Sequence, residues 1–149
     1  MIHAAFAHSE IEDDYPEWRI YWIAGVACLR AVGQVLDKVD APRDPKLKAI
    51  VERKWQWLKS NRATTKIFWE FIDKERDNIL KEFALGPVPS MVAQYYVPSA
   101  IPGKPDEPRN LYRGLVYGDD NRTAEAMFWE AIEFWRSYLG EIQEEWANG

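Results

Sequence analysis

Apolar side chains at Phe68, Phe71, Ile72, Ile79, Leu80 and Phe83 follow the i, i+3, i+4 rhythm of an amphipathic helix, predicted from about Thr64 to Leu85 and ended by Gly86 and Pro87. Three further segments carry the same period. From Ile20 to Leu29 the chain is apolar on nearly every side and rich in small residues, which predicts a central core helix from an Asp14 cap to about Val39. "APRDPKLKAI" stops that helix and starts another, with Asp44 as N-cap, Pro45 in the first turn, and Leu47, Ile50, Val51, Trp55 and Leu58 as its buried stripe. A last helix is expected from about Thr123 to Trp146, burying Ala124, Phe128, Ala131, Trp135, Tyr138, Ile142 and Trp146. A short first helix fits Ile2 to about Glu12.

Residues 87–108 break the pattern, because six of the nine prolines fall there and no regular helix accommodates them. Within and after this stretch, "MVAQYYV" and "LYRGLVY" favour β structure, so a small two-stranded ribbon fits the long Pro-rich crossover. The expected architecture is one all-α domain over residues 1–149, an antiparallel bundle of four to five helices with the crossover before the last helix.

Composition supports a packed core. Hydrophobic residues are 47% and aromatics 14% of the chain, including eight tryptophans, which excludes a disordered polymer. The single cysteine, Cys28, has no partner for an internal disulfide and reads as an inert core residue. The N-terminus lacks the basic start and apolar stretch of a signal peptide, and the apolar run Ile20–Leu36 is interrupted by Arg30 and Gln34. A cytoplasmic protein without membrane association is expected.

The net charge of -5 hides an asymmetry: Arg43–Lys66 holds eight basic residues against two acids, and Asp119–Glu145 holds eight acids against two arginines. Two helix faces that attract each other explain this. Capture of a polyanion by the segment around Arg53, Lys54 and Lys59 is the functional alternative.

Searches for chemistry return little. His3 and His8 are the only histidines and form no Glu-x-x-His pair, and no phosphate loop, GxSxG elbow or CxxC pair occurs, so neither a metal nor a cofactor is expected. What remains is Arg76 with Asp77, Asn78 and Lys81. Placed at the centre of an apolar stripe, Arg76 must meet an acid, backbone carbonyls, or an open cleft or subunit interface. Arg30 raises the same question on the central helix. Arginines that hold helices in register through glutamates are one answer, and an anion pocket built from the same groups is the other.

The central helix with "ACLRAVGQVL", the later helix with Arg76 followed by polar Asp77, and the closing acidic "AIEFWRSYLGEIQ" helix together resemble the HEPN-like superfamily of bacterial helical proteins. The resemblance implies a dimer whose paired motifs line a shared cleft and, in active members, metal-independent RNA cleavage by an arginine, a polar residue and a histidine a few residues on. Arg76 and Asp77 stand at the first two positions. Lys81 stands where the histidine would be, and a lysine with a pKa of about 10 is a poor base at neutral pH.

The expectation is therefore a non-catalytic binding or structural module. It would form a homodimer through the helix of Arg76 and have RNA or a protein as a further partner. The alternative is a toxin- or defence-type RNA-binding or RNA-cleaving protein, with Arg76, Asp77 and Lys81 as catalytic residues and Arg30, Arg53, Lys54, Lys59 and Asn78 holding RNA. A small-molecule pocket lined by tryptophans and tyrosines is the second alternative.

Overall fold

The computed structural model describes residues 17–98, 101–117 and 122–148. The helix expected over Ile2 to Glu12 and the Asp14 cap lie outside these residues. The protein is an all-α bundle with a small antiparallel sheet, and its described helices number four.

Helix α1 spans Glu17–Val35 and runs on through a wide π turn at Leu36–Asp40 and a 3-10 turn at Ala41–Arg43. Pro42 and Pro45 then prevent a continuous helix. Asp44 adopts an extended backbone and its side chain accepts hydrogen bonds from the Lys46 and Leu47 N–H groups at 2.7 and 3.2 Å, which opens α2 at Pro45–Ser60. Two of the first-turn donors that a helix leaves unpaired are thereby satisfied. Ile50, Val51 and Leu58 are buried, with Leu47 and Trp55 packed beside them, as the stripe required.

Helix α3 covers Ile67–Glu82, with π turns at Ile67–Asp73 and Asn78–Glu82 on either side of one α turn at Lys74–Asp77. It ends at Phe83, whose φ of 53° is left-handed, and not at Gly86. This is an uncommon conformation for a bulky residue.

The crossover is a hairpin. Strand β1 (Pro87–Val97) pairs antiparallel with β2 (Glu107–Tyr117), and β3 (Arg122–Thr123) adds two residues to β2. The prolines of β1 fit for a physical reason: among the described residues β1 is an edge strand with one neighbour, and an edge strand tolerates proline where its N–H groups face no strand. Pro98, Pro102 and Pro105 fall between the strands, and the pairing shifts register next to Pro89.

Helix α4 (Ala124–Asn148) buries Ala124, Phe128, Ala131, Trp135, Tyr138 and Ile142 as expected. Trp146 departs from that pattern: it is partly exposed, and its indole N–H donates to the Asp44 carboxylate at 3.0 Å. The core is aromatic. The Trp22 ring meets Phe71 at 5.7 Å and Phe128 at 4.9 Å, both edge-on, and Phe68 meets Trp135 edge-on at 5.8 Å. Such ring pairs add about 0.5–1.5 kcal/mol each to the burial of their surface.

Two expectations for α1 are corrected. Its inner face, Trp18, Trp22, Val26 and Leu29, is core, but Ile20, Ile23, Ala24, Ala27, Cys28, Ala31 and Val35 form an exposed apolar stripe. Cys28 is therefore exposed and not a core residue. The apolar run was read as packed on all sides, whereas among the described residues no element covers its outer half. The stretch Trp18–Arg43 is long and apolar enough to cross a membrane by length and composition, while its inner face is built into the bundle.

Candidate functional site

Glu75, not Arg76, is the charged residue inside α3. Glu75 is buried on the same side as Phe68, Phe71 and Ile72, whereas the Arg76 side chain is half-exposed. Leu80 and Phe83 had pulled the apparent centre of the stripe toward Arg76. Both are exposed, at 59% and 91%, beyond the point where the second π turn alters the phase of the helix.

Glu75 is fully buried, and its carboxylate gathers donors from three parts of the chain. The Trp22 indole donates at 2.7 Å and the Gly86 backbone N–H at 2.8 Å to one oxygen; the Tyr117 hydroxyl at 3.1 Å and the Asn78 amide at 3.4 Å approach the other. Gly86 is required by space: a Cβ there would sit 2.3 Å from the Tyr117 ring and 2.7 Å from the carboxylate. Burial, then the adjacent negative charge, pushes the Tyr117 phenol well above its ordinary range. With its acceptors filled by protein donors, Glu75 reads as a joint between α1, α3 and the hairpin.

The residues singled out for catalysis form a closed charge group. Arg76 Nη1 lies 2.6 Å from Asp77 Oδ1, and Lys81 Nζ pairs with the other Asp77 oxygen. Lys81 and then Arg76 hold the Asp77 carboxyl below its usual range. On an ideal helix Arg76 and Lys81 point apart, yet both side chains are long enough to reach the one aspartate. Arg76 is half-exposed at the flank of α3 and, among the described residues, is paired with its neighbour and not with a glutamate of another helix.

The residues singled out for RNA are dispersed. Lys54 pairs with Glu141 at 2.6 Å and Arg53 with Glu145, so the basic α2 is clasped by the acidic α4. Lys59 lies over the Trp55 ring at 5.3 Å, and Asn78 turns to Glu75. Arg30 is separate from all of them, with Nε 3.3 Å from Asp73 and the guanidinium 6.0 Å above Phe68.

Arg30 instead lines an open-sided cavity of about 170 Å³ between α1, α2, α3 and α4, whose walls include Gly33, Trp55, Phe68, Trp135 and Tyr138, with Gln34, Asp37 and Glu52 at its exposed side. Gly33 makes the wall possible, because a Cβ at that position would meet the Trp135 ring at 3.0 Å. Burial, with the Glu141 carboxylate nearby, pushes the Tyr138 phenol up to about 12. Two buried side-chain N–H groups among the described residues lack a hydrogen-bond acceptor, Arg30 Nε and Trp135 Nε1. Arg30 Nε is near enough to Asp73 for ion pairing but is not aligned for a hydrogen bond, so Trp135 Nε1 is the more fully orphaned. Trp135 and Tyr138 were read from the sequence as ordinary core; the mid-helix glycine at 33 was the available signal of a close approach. No group of three or more metal-ligating side chains occurs among the described residues.

No known protein family, curated protein or solved structure matches the chain.

Proposed function

We propose that the protein is a non-catalytic binding module of HEPN-like build, and that its ligand site is the aromatic cavity between the four helices. One observation carries this reading: the four helices leave a space of about 170 Å³ between them, walled by the rings of Trp55, Phe68, Trp135 and Tyr138 with Arg30 beside them. A concave, largely aromatic recess with a few polar groups is the usual form of a ligand site. Metal-independent RNA cleavage, the competing activity, needs a free cation and a base near neutrality. Asp77 already engages both Arg76 and Lys81, and Arg53 and Lys54 of α2 face carboxylates of α4.

Two measurements test the proposal. Saturable binding of ethylbenzene should move the indole signals of Trp55 and Trp135 in nitrogen–proton correlation spectra and leave the exposed Trp57 in place. RNA incubated with the protein in EDTA should stay intact. Cleavage that disappears in a folded Arg76→Ala variant would replace the binding reading with the catalytic one.

A further inference from the structure

The eight basic residues from Arg43 to Lys66 divide into two sets. The first five each meet an acceptor: Arg43 faces Asp40 at 3.9 Å, Lys46 the Trp146 carbonyl, Lys48 Glu52 at 3.9 Å, Arg53 Glu145, and Lys54 Glu141. Lys59, Arg62 and Lys66, where α2 turns into α3, are exposed and form no ion pair with a carboxylate among the described residues. From Lys54 to Ile72 the only acid is Glu70, one turn beyond Lys66. The acidic α4 therefore answers one half of the basic run and leaves a positive corner at the other.

That corner is built on rings. Lys59 Nζ lies over the Trp55 ring at 5.3 Å, the Trp55 and Trp69 rings approach to 5.8 Å with their planes 37° apart, and the Arg62 guanidinium lies 4.0 Å from the centre of the Trp69 ring. Cation, ring, ring and cation follow one another. Arg62 is exposed, so a further planar group can stack on the guanidinium while Lys59 and Lys66 stand ready for phosphates. Trp57, two residues from both Trp55 and Lys59 along α2, does not share their face.

The remaining polar side chains of the turn are occupied by its own backbone. The Asn61 amide donates to the Trp57 carbonyl at 2.8 Å, and the Thr64 and Thr65 hydroxyls donate to the Asn61 carbonyl at 3.0 and 2.8 Å. The surface thus offers charge and flat faces, and turns inward the donors that would read a base edge or a ribose hydroxyl.

From this arrangement we infer that the α2–α3 corner binds single-stranded nucleic acid without regard to sequence or sugar, Lys59 and Lys66 holding phosphates and a base stacking on the Arg62–Trp69 pair. Alternating cations and aromatic platforms are how such strands are held. No histidine occurs among the described residues, so the strand is held and not cut. The site is separate from the cavity proposed above and stands without it.

The probe is a labelled oligothymidylate of about ten nucleotides, titrated against the full chain at several salt concentrations. Binding should saturate at low salt, and the logarithm of affinity should fall against the logarithm of salt with a slope of about −2, since each of three phosphate contacts contributes about −0.7. The Trp69 indole signal should move and that of Trp57 stay. Lys59→Ala should flatten the slope by about 0.7. Arg62→Lys keeps the charge and loses the plane, so it should leave the slope unchanged and weaken binding about fivefold or more. An RNA strand of the same length should bind within about threefold of the DNA, and duplex DNA and inorganic polyphosphate more weakly than either. Duplex or polyphosphate that binds as tightly as the single strand would overturn the stacking and leave a general polyanion patch. RNA preferred by more than about tenfold would overturn the sugar-blind reading. No saturable binding at low salt would dismiss the site outright, whatever the cavity binds.

Discussion

Replacing Glu75 by alanine should destabilise the protein more than any other single change at a charged residue of α3. The side chain is fully buried, and its loss strands the Trp22 indole N–H and the Gly86 backbone N–H, which donate to it at 2.7 and 2.8 Å. Each buried donor left without an acceptor costs about 1–3 kcal/mol. The Tyr117 hydroxyl is half-buried and can turn toward water, so it adds little. Relief from burying a carboxylate offsets part of the loss. A net destabilisation of roughly 3–4 kcal/mol follows, or a midpoint lower by about 6–16 °C at this chain length. Glu75→Gln keeps the shape and one acceptor oxygen, while the Tyr117 hydroxyl can rotate to accept from the new amide; its cost should be roughly 1–2 kcal/mol. Urea unfolding of wild type and both variants, with the slope checked for constancy, is the assay. An alanine variant as stable as wild type would refute the reasoning, because it would mean that the carboxylate's desolvation cancels its hydrogen bonds.

Alkaline pH should weaken the fold through Tyr117 and Tyr138. Their folded pKa values are raised, so the stabilisation is complete below the unfolded value of 10.0 and is lost as pH rises from there toward about 12, where Tyr138 ionises. Phenolate absorbance and urea midpoints measured together would show it, and midpoints that stay flat from pH 10 to 12 would count against it. Arg76→Ala should change stability by less than about 1 kcal/mol, because Arg76 is half-exposed and Lys81 still neutralises Asp77; a large drop in thermal midpoint would reinstate a buried pairing role. We also propose a homodimer that covers the exposed Leu80 and Phe83 of α3, to be checked by light scattering at micromolar concentration. Phe83→Glu should then yield monomers, and a wild-type monomer at every concentration would dismiss the interface.

What could be read from the sequence depended on whether the cause was local. The stripes of α2 and α4 rest on spacing within one helix, and the Asp44 cap on three consecutive residues, so both were visible in advance. The division of charge was legible too, and it reappears as Arg53 with Glu145 and Lys54 with Glu141. Strand composition pointed to a ribbon, but its length was hidden, because prolines look prohibitive until one knows that β1 is an edge strand among the described residues. Glu75 was missed because Leu80 and Phe83 were counted as core, and nothing in their identity shows that they face outward. The outer face of α1 misled in the same way, since an apolar residue states a preference for burial and does not guarantee a partner. A pocket lined by tryptophans and tyrosines was among the alternatives, but its place could not be foreseen. It is a gap left between side chains from four helices, and its wall at Gly33 and Trp135 joins residues a hundred positions apart.

The clasp between α2 and α4 gives the order of synthesis a meaning. Ser60 closes the basic helix and Ala124 opens the acidic one, so at about 5–20 residues per second the first waits several seconds for the second. During that interval Arg53 and Lys54 are without the Glu145 and Glu141 carboxylates that later answer them. The last helix thus completes the charge pairing of the bundle late, as an acidic strap that closes over a basic helix made long before it.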